Sequence, residues 1–225
     1  MRTSFRYVLI GAGATALVLA GCSNSSTEEA ASAEGDRLLV ATTVSPITSI
    51  VSRVGGDCVD VRGIVPEGTN SHTFEPAPSV ATLLSDADII FINGLKLEDP
   101  TLEMAQANMR DDAQLVELGT VALPESEYIY DFSFPKEEGK PNPHLWTDPT
   151  FAIEYAQIVK DVLTERDPAC AETFQANYDS FEAQVNTLAE AIREDQKTVP
   201  NGNLKLVTYH DAYAYFAKNF GWQVV

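Results

Sequence analysis

The chain holds three histidines, His72, His144 and His210. Imidazole is the commonest metal ligand and also the side chain that changes charge near neutral pH, so its setting decides which role it takes. His144 lies in Asn142-Pro143-His144-Leu145-Trp146-Thr147-Asp148-Pro149. Each proline fixes its own φ and pushes the residue before it towards extended geometry, so the imidazole is carried on stiff, non-helical backbone. A lone loop histidine is more often a residue without a ligand. Here all three share one setting, which points to one cation site.

That setting depends on the elements around them. Leu38 to Thr43 is an apolar, β-branched run that reads as a buried strand. Ser45-Pro46 opens a helix from about Ile47 to Val54, stopped by Gly55-Gly56. Cys58 to Val65 alternates as a strand and runs into the turn-rich loop Pro66 to His72. A helix over Ser79 to Ser85, a strand over Asp88 to Asn93, a helix over Leu97 to Met109 and a weaker strand over Gln114 to Glu117 follow. Strands alternating with helices predict a mainly parallel sheet with helices on both faces. In such sheets ligands bind beyond the carboxyl ends of strands. His72 follows the second strand, and His210 follows a strand over Lys205 to Thr208.

Gly119 to Pro141 is a long connection with few periodic signals and no histidine. A helix from Thr150 to about Glu165 follows, with Ile153, Ala156, Val159 and Leu163 near one face. The longest element runs from about Ala169 to Thr198. Its apolar seam is Phe174, Tyr178, Phe181, Val185, Leu188 and Ile192. It reads as a rigid helix lying along the molecule and joining two lobes. A coiled-coil dimer is the competing reading. A helix over Ala212 to Asn219 and a strand from Gln223 close the sequence, so a second lobe is expected to be mostly missing.

The first 21 residues read as a secretory signal, with Arg2 and Arg6 ahead of the apolar run Val8 to Ala20. Leu19-Ala20-Gly21-Cys22 reads as a lipoprotein cleavage box, which makes Cys22 the lipidated terminus and residues 22–36 a disordered tether. The remaining organisation is a first α/β lobe over 37–167, a linking helix over 168–199 and the start of a second lobe over 200–225. Removing residues 1–21 leaves 204 residues and takes the formal charge from −18 to −20, which argues against nucleic-acid partners. Cys58 and Cys170 form either a disulfide or a buried reduced pair. No Cys-x-x-Cys, His-Glu-x-x-His or G-x-x-x-x-G-K stretch occurs.

Four segments carry a resemblance: Pro66 to Pro76 (PEGTNSHTFEP), Ala87 to Gly94 (ADIIFING), Asn142 to Pro149, and His210 to Phe216 with Phe220-Gly221. In that order they resemble the zinc/manganese-binding lipoproteins of ABC importers, over nearly all of Leu38 to Val225. The resemblance implies two α/β lobes, one rigid helix between them and a metal in the cleft. It implies His72, His144 and His210 as metal ligands, with the family's fourth ligand a carboxylate further along the second lobe. Glu75 and Asp211 are then candidates to orient an imidazole, or simply solvated loop carboxylates.

The expected function is extracytoplasmic capture of Zn2+, or of Mn2+, by a lipid-anchored monomer, with delivery to a permease driven by a separate ATPase. Some manganese-type members carry Glu at the third ligand position, so His210 favours zinc. No catalytic residue is expected, because a shell closed by protein ligands leaves no position for an activated water. The rival readings are a binding protein for a metal chelate, siderophore or corrinoid, and a metal-dependent hydrolase. The single linking helix predicts limited closure on binding.

Overall fold

The computed structural model describes residues 37–200 and 202–225. The signal segment, Cys22 and the tether lie outside the described residues. Strand β1 (Leu38–Thr42) pairs in parallel with β2 (Val59–Gly63) and with β3 (Ile89–Ile92), and β3 pairs in parallel with β4 (Gln114–Glu117). The order is β2-β1-β3-β4. A second, two-stranded parallel sheet joins β5 (Lys205–Leu206) to β6 (Gln223–Val224). The α/β class with parallel sheets and one long helix follows from the alternation in the sequence.

Successive strand side chains point to opposite faces, and the core divides accordingly. Val40, Ile89, Phe91 and Val116 pack on one face with α1 (Ser45–Gly55), α5 (Pro149–Arg166) and α6 (Ala171–Gln196). Ala41, Ile90 and Ile92 pack on the other with α2 (Val80–Asp86) and α3 (Asp99–Asn108). Every residue of β3 is buried, as its unbroken apolar run requires.

The long connection after β4 is less irregular than its sequence suggests. A short helix, α4 (Leu118–Ala122), leaves β4 directly and packs on α5. Beyond it, 3-10 turns at Glu125–Glu127 and Lys136–Glu138 lead to the His144 segment.

Helix α6 has 26 residues and spans ~39 Å. Its seam departs from the expected one at the C-terminal end. Phe174, Tyr178 and Phe181 are buried, but Leu188 is 55% exposed and Ala189 takes the inward position. Val185 and Ile192, the other apolar positions on that half, are only half-buried. Strand β5 is also shorter than expected, and the segment from Val207 to Tyr213 has no regular structure before α7 (Ala214–Phe220).

Cys58 and Cys170 are bonded to each other, with Cα atoms 6.4 Å apart. The bridge ties the entry to β2 to the turn that starts α6.

Candidate metal centre

Local backbone chemistry places two of the histidines in the same way. In Asn70-Ser71-His72 and in Asn142-Pro143-His144, the asparagine Oδ1 accepts the histidine backbone N–H, at 3.0 and 3.1 Å. This side-chain-to-backbone turn is a habit of asparagine. It fixes where each imidazole leaves the chain.

The three rings meet. The Nε2 atoms of His72 and His144 lie 3.1 Å apart, those of His72 and His210 3.2 Å, and those of His144 and His210 2.9 Å. His144 is 3% exposed, while His72 and His210 reach solvent. Phe134 packs 5.8 Å from both the His72 and the His144 ring centroids, and Trp146 lies edge-on to His144 at 5.1 Å.

The tautomer of His144 follows from its partners. Asn142 is fully buried. Its Nδ2 donates to Asp131 Oδ2 at 2.8 Å and to the Asp211 carbonyl at 2.9 Å. Both of those are acceptors, so the amide orientation is determined and Oδ1 faces His144. That oxygen only accepts. The His144 Nδ1 therefore carries the proton, at 2.8 Å from Asn142 Oδ1, and Nε2 presents a bare lone pair to the other rings.

Burial, with the neighbouring His72 and His210 adding to it, pushes the His144 pKa down to about 3. Burial and His210 also lower His72. Three imidazole nitrogens converging on one point suit a borderline cation. With metal–nitrogen bonds of 2.0–2.1 Å, a tetrahedral ion needs nitrogens about 3.3 Å apart, and a 90° arrangement needs about 2.9 Å. The spacing in this structure lies between those two arrangements, so a small adjustment admits either.

His144 is also anchored from behind. Asn93, at the end of β3, donates through Nδ2 to the Pro143 carbonyl at 2.9 Å and accepts from Tyr155 Oη at 2.7 Å. The Asn93 backbone N–H donates to Glu98 Oε1 at 2.7 Å, and Thr43 Oγ1 donates to the same oxygen at 2.6 Å. The chain at Gly119 comes close enough to donate its N–H to the Asn93 carbonyl at 2.8 Å. A Cβ there would meet that carbonyl and Tyr155 Oη at 2.9 Å, so glycine is required by space. Burial raises the Glu98 pKa to about 7 against the pull of those hydrogen bonds, and its Oε2 has no hydrogen-bond partner among the described residues.

The two carboxylates considered as orienting groups are placed differently from Asn142. Glu75 is exposed. Asp211 meets the site through its main-chain carbonyl, on Asn142 Nδ2. Burial and the neighbouring Asp131 raise the Asp211 carboxyl above the usual range. Asn142, Asp131, Asn93 and Tyr155 were not singled out in the sequence. The repeated Asn-x-His spacing was the available signal for Asn142.

The fold is that of the periplasmic metal-binding proteins. The chain superposes on the periplasmic zinc-binding protein TroA from Treponema pallidum with a TM-score of 0.75 and 26% identity, over 84% of this chain and 66% of that one. Its sequence is 31% identical over 212 residues to the manganese-binding lipoprotein MntA of Halalkalibacterium halodurans, covering 93% of this chain and 66% of the relative. It is 27% identical over 214 residues to the iron ABC transporter substrate-binding lipoprotein MtsA of Streptococcus pyogenes, covering 95% and 68%. The model of the ZnuA family, zinc-uptake complex component A, periplasmic, matches residues 40–225. The chain belongs to that family. It spans about two thirds of the length of the curated relatives just named.

Proposed function

We propose that this protein captures a divalent metal ion outside the cytoplasm, Zn2+ in preference to Mn2+, and hands it to the permease of an ABC importer. The ATPase is a separate chain. Residues 37–167 form the first lobe, 168–199 the linking helix, and 200–225 open a second lobe. His72, His144 and His210 are the ligands, and a lipid on Cys22 holds the protein at the membrane as a monomer. The role is binding and transfer, with no catalytic residue.

The observation that carries this reading is the approach of three Nε2 atoms to within 2.9–3.2 Å of one another. His144 Nε2 offers a lone pair, and a cation is the one partner that can accept from all three nitrogens at once. The names of the relatives cover zinc, manganese and iron, so the preference for zinc rests on the donor set. Three imidazoles suit zinc better than they suit manganese, which favours oxygen donors.

The test is a competition titration of the lipid-free protein with Zn2+ and with Mn2+, beside His144→Ala. Tight one-to-one binding, stronger for Zn2+ and lost in the variant, is expected. Binding that survives the substitution unchanged would remove His144 as a ligand and favour capture of a metal chelate instead.

A further inference from the structure

The loop that carries His210 has little structure of its own, since the chain from Val207 to Tyr213 is irregular and Tyr209 is fully exposed. Yet the His210 ring arrives within 2.9 Å of His144 Nε2. We infer that the stretch Asn142–Thr150 is a clasp that aims His210 as well as carrying His144, and that Asn219 is the positioning residue through which the clasp is closed. This rests on the reading of the three histidines as a metal site.

Hydrogen bonds run across the junction on both sides of His144. Asn142 Nδ2 donates to the Asp211 carbonyl at 2.9 Å. Thr147 Oγ1 lies 2.9 Å from the Ala212 carbonyl and 2.9 Å from that of His144, so one hydroxyl proton is shared between the two segments. Asn219 Nδ2 donates to Asp148 Oδ1 at 2.9 Å and to Thr150 Oγ1 at 3.0 Å. Tyr215 Oη accepts from the Ile129 N–H at 3.2 Å, and its ring meets Phe151 edge-on at 5.5 Å. The carbonyls of Asp211 and Ala212, the two residues after His210, are thus held by side chains of the His144 segment. Asn219 fixes the far end of α7 to the first turn of α5.

The consequence is preorganisation. An untethered loop ligand loses its conformational freedom on binding, and that loss is subtracted from the affinity. Here the ordering is built into the fold. Asn219 touches no histidine, so any influence it has on the metal passes through the position of His210.

The test uses a reciprocal exchange. Asn219→Asp sets a carboxylate against Asp148 and opens the clasp, while Asp148→Asn added to it restores an amide–carboxylate pair and keeps an asparagine as helix cap. Zn2+ affinity should fall about ten-fold in Asn219→Asp and return to within about three-fold in the double variant, the scale seen when groups behind a metal ligand are removed. In a His210→Ala background, Asn219→Asp should cause no further loss, because the two changes act through one residue. Hydrogen exchange of residues 209–219 should quicken in Asn219→Asp without metal. Should that variant not fold, Asn219→Ala deletes the same two bonds without adding charge. Wild-type affinity in Asn219→Asp, or an equal loss with and without His210, would overturn the clasp. Failure of the wild-type protein to bind Zn2+ would overturn the capture reading alone, and the exchange rates would still decide whether the segment is held.

Discussion

Asn142 Oδ1 stands 2.8 Å from His144 Nδ1, and this contact assigns the imidazole proton to the side away from His72 and His210. A buried amide with two committed donors thus determines which nitrogen faces the other two rings. Replacing it with alanine frees the ring to adopt either tautomer. Zn2+ affinity of Asn142→Ala should fall about 10–100-fold. Ring 15N shifts should show a tautomer mixture at His144 where the wild type shows one form. Unchanged affinity with a single tautomer would contradict this.

The metal-free protein should lose stability in acid through His144. Its folded pKa is about 3, against an ordinary value of 6.5. Between those values the unfolded chain binds the extra proton, so stability is full above 6.5 and falls as pH drops towards 3. The slope is at most about 1.4 kcal/mol per pH unit for one proton. Urea midpoints measured from pH 7 to 4 should fall less steeply for His144→Ala than for the wild type.

Glu98 should act with the opposite sign. Its folded pKa is about 7, against 4.5. The folded state therefore holds the extra proton between pH 4.5 and 7, and the contribution is full below 4.5 and lost as pH rises to 7. Glu98→Gln keeps an acceptor for Thr43 Oγ1 and the Asn93 N–H while removing the charge. Its stability relative to wild type should rise from pH 5 to pH 8. A constant difference across that range would show that Glu98 does not titrate as assigned.

Removing the bridge should cost stability without abolishing the metal site. The bond spans 112 residues. A loop of that size stabilises by about 4–5 kcal/mol in the chain-entropy model, and about 2–4 kcal/mol is usual in practice. Chemical unfolding of the Cys58→Ser, Cys170→Ser double variant reads this directly, and Zn2+ binding below its melting transition should be retained.

The sheet was legible because its strands are short apolar runs with breakers at their ends, Ile89 to Ile92 above all. The histidines were legible because none lies elsewhere in the chain, and two of them follow strand ends. What escaped was the set of groups that aim them. Asn93 and Tyr155 are separated by 62 residues, and nothing in either neighbourhood announces that they meet. The seam of α6 was misplaced at Leu188, because spacing alone does not say how much of a helix the rest of the chain covers. The state of Cys58 and Cys170 depends on a distance in space that sequence separation does not supply.

The covalent link between Cys58 and Cys170 also changes what a single cut can do. All of β3 and β4, the exposed connection around Phe132, and both His72 and His144 lie between the two cysteines. A protease that nicks any one peptide bond in that interval converts a closed ring into two strands still fastened to each other. The pieces remain one molecule, and the two histidines stay attached to the helix that leads to the third. In the extracytoplasmic setting proposed above, the bridge turns a severed chain into a damaged but undivided one.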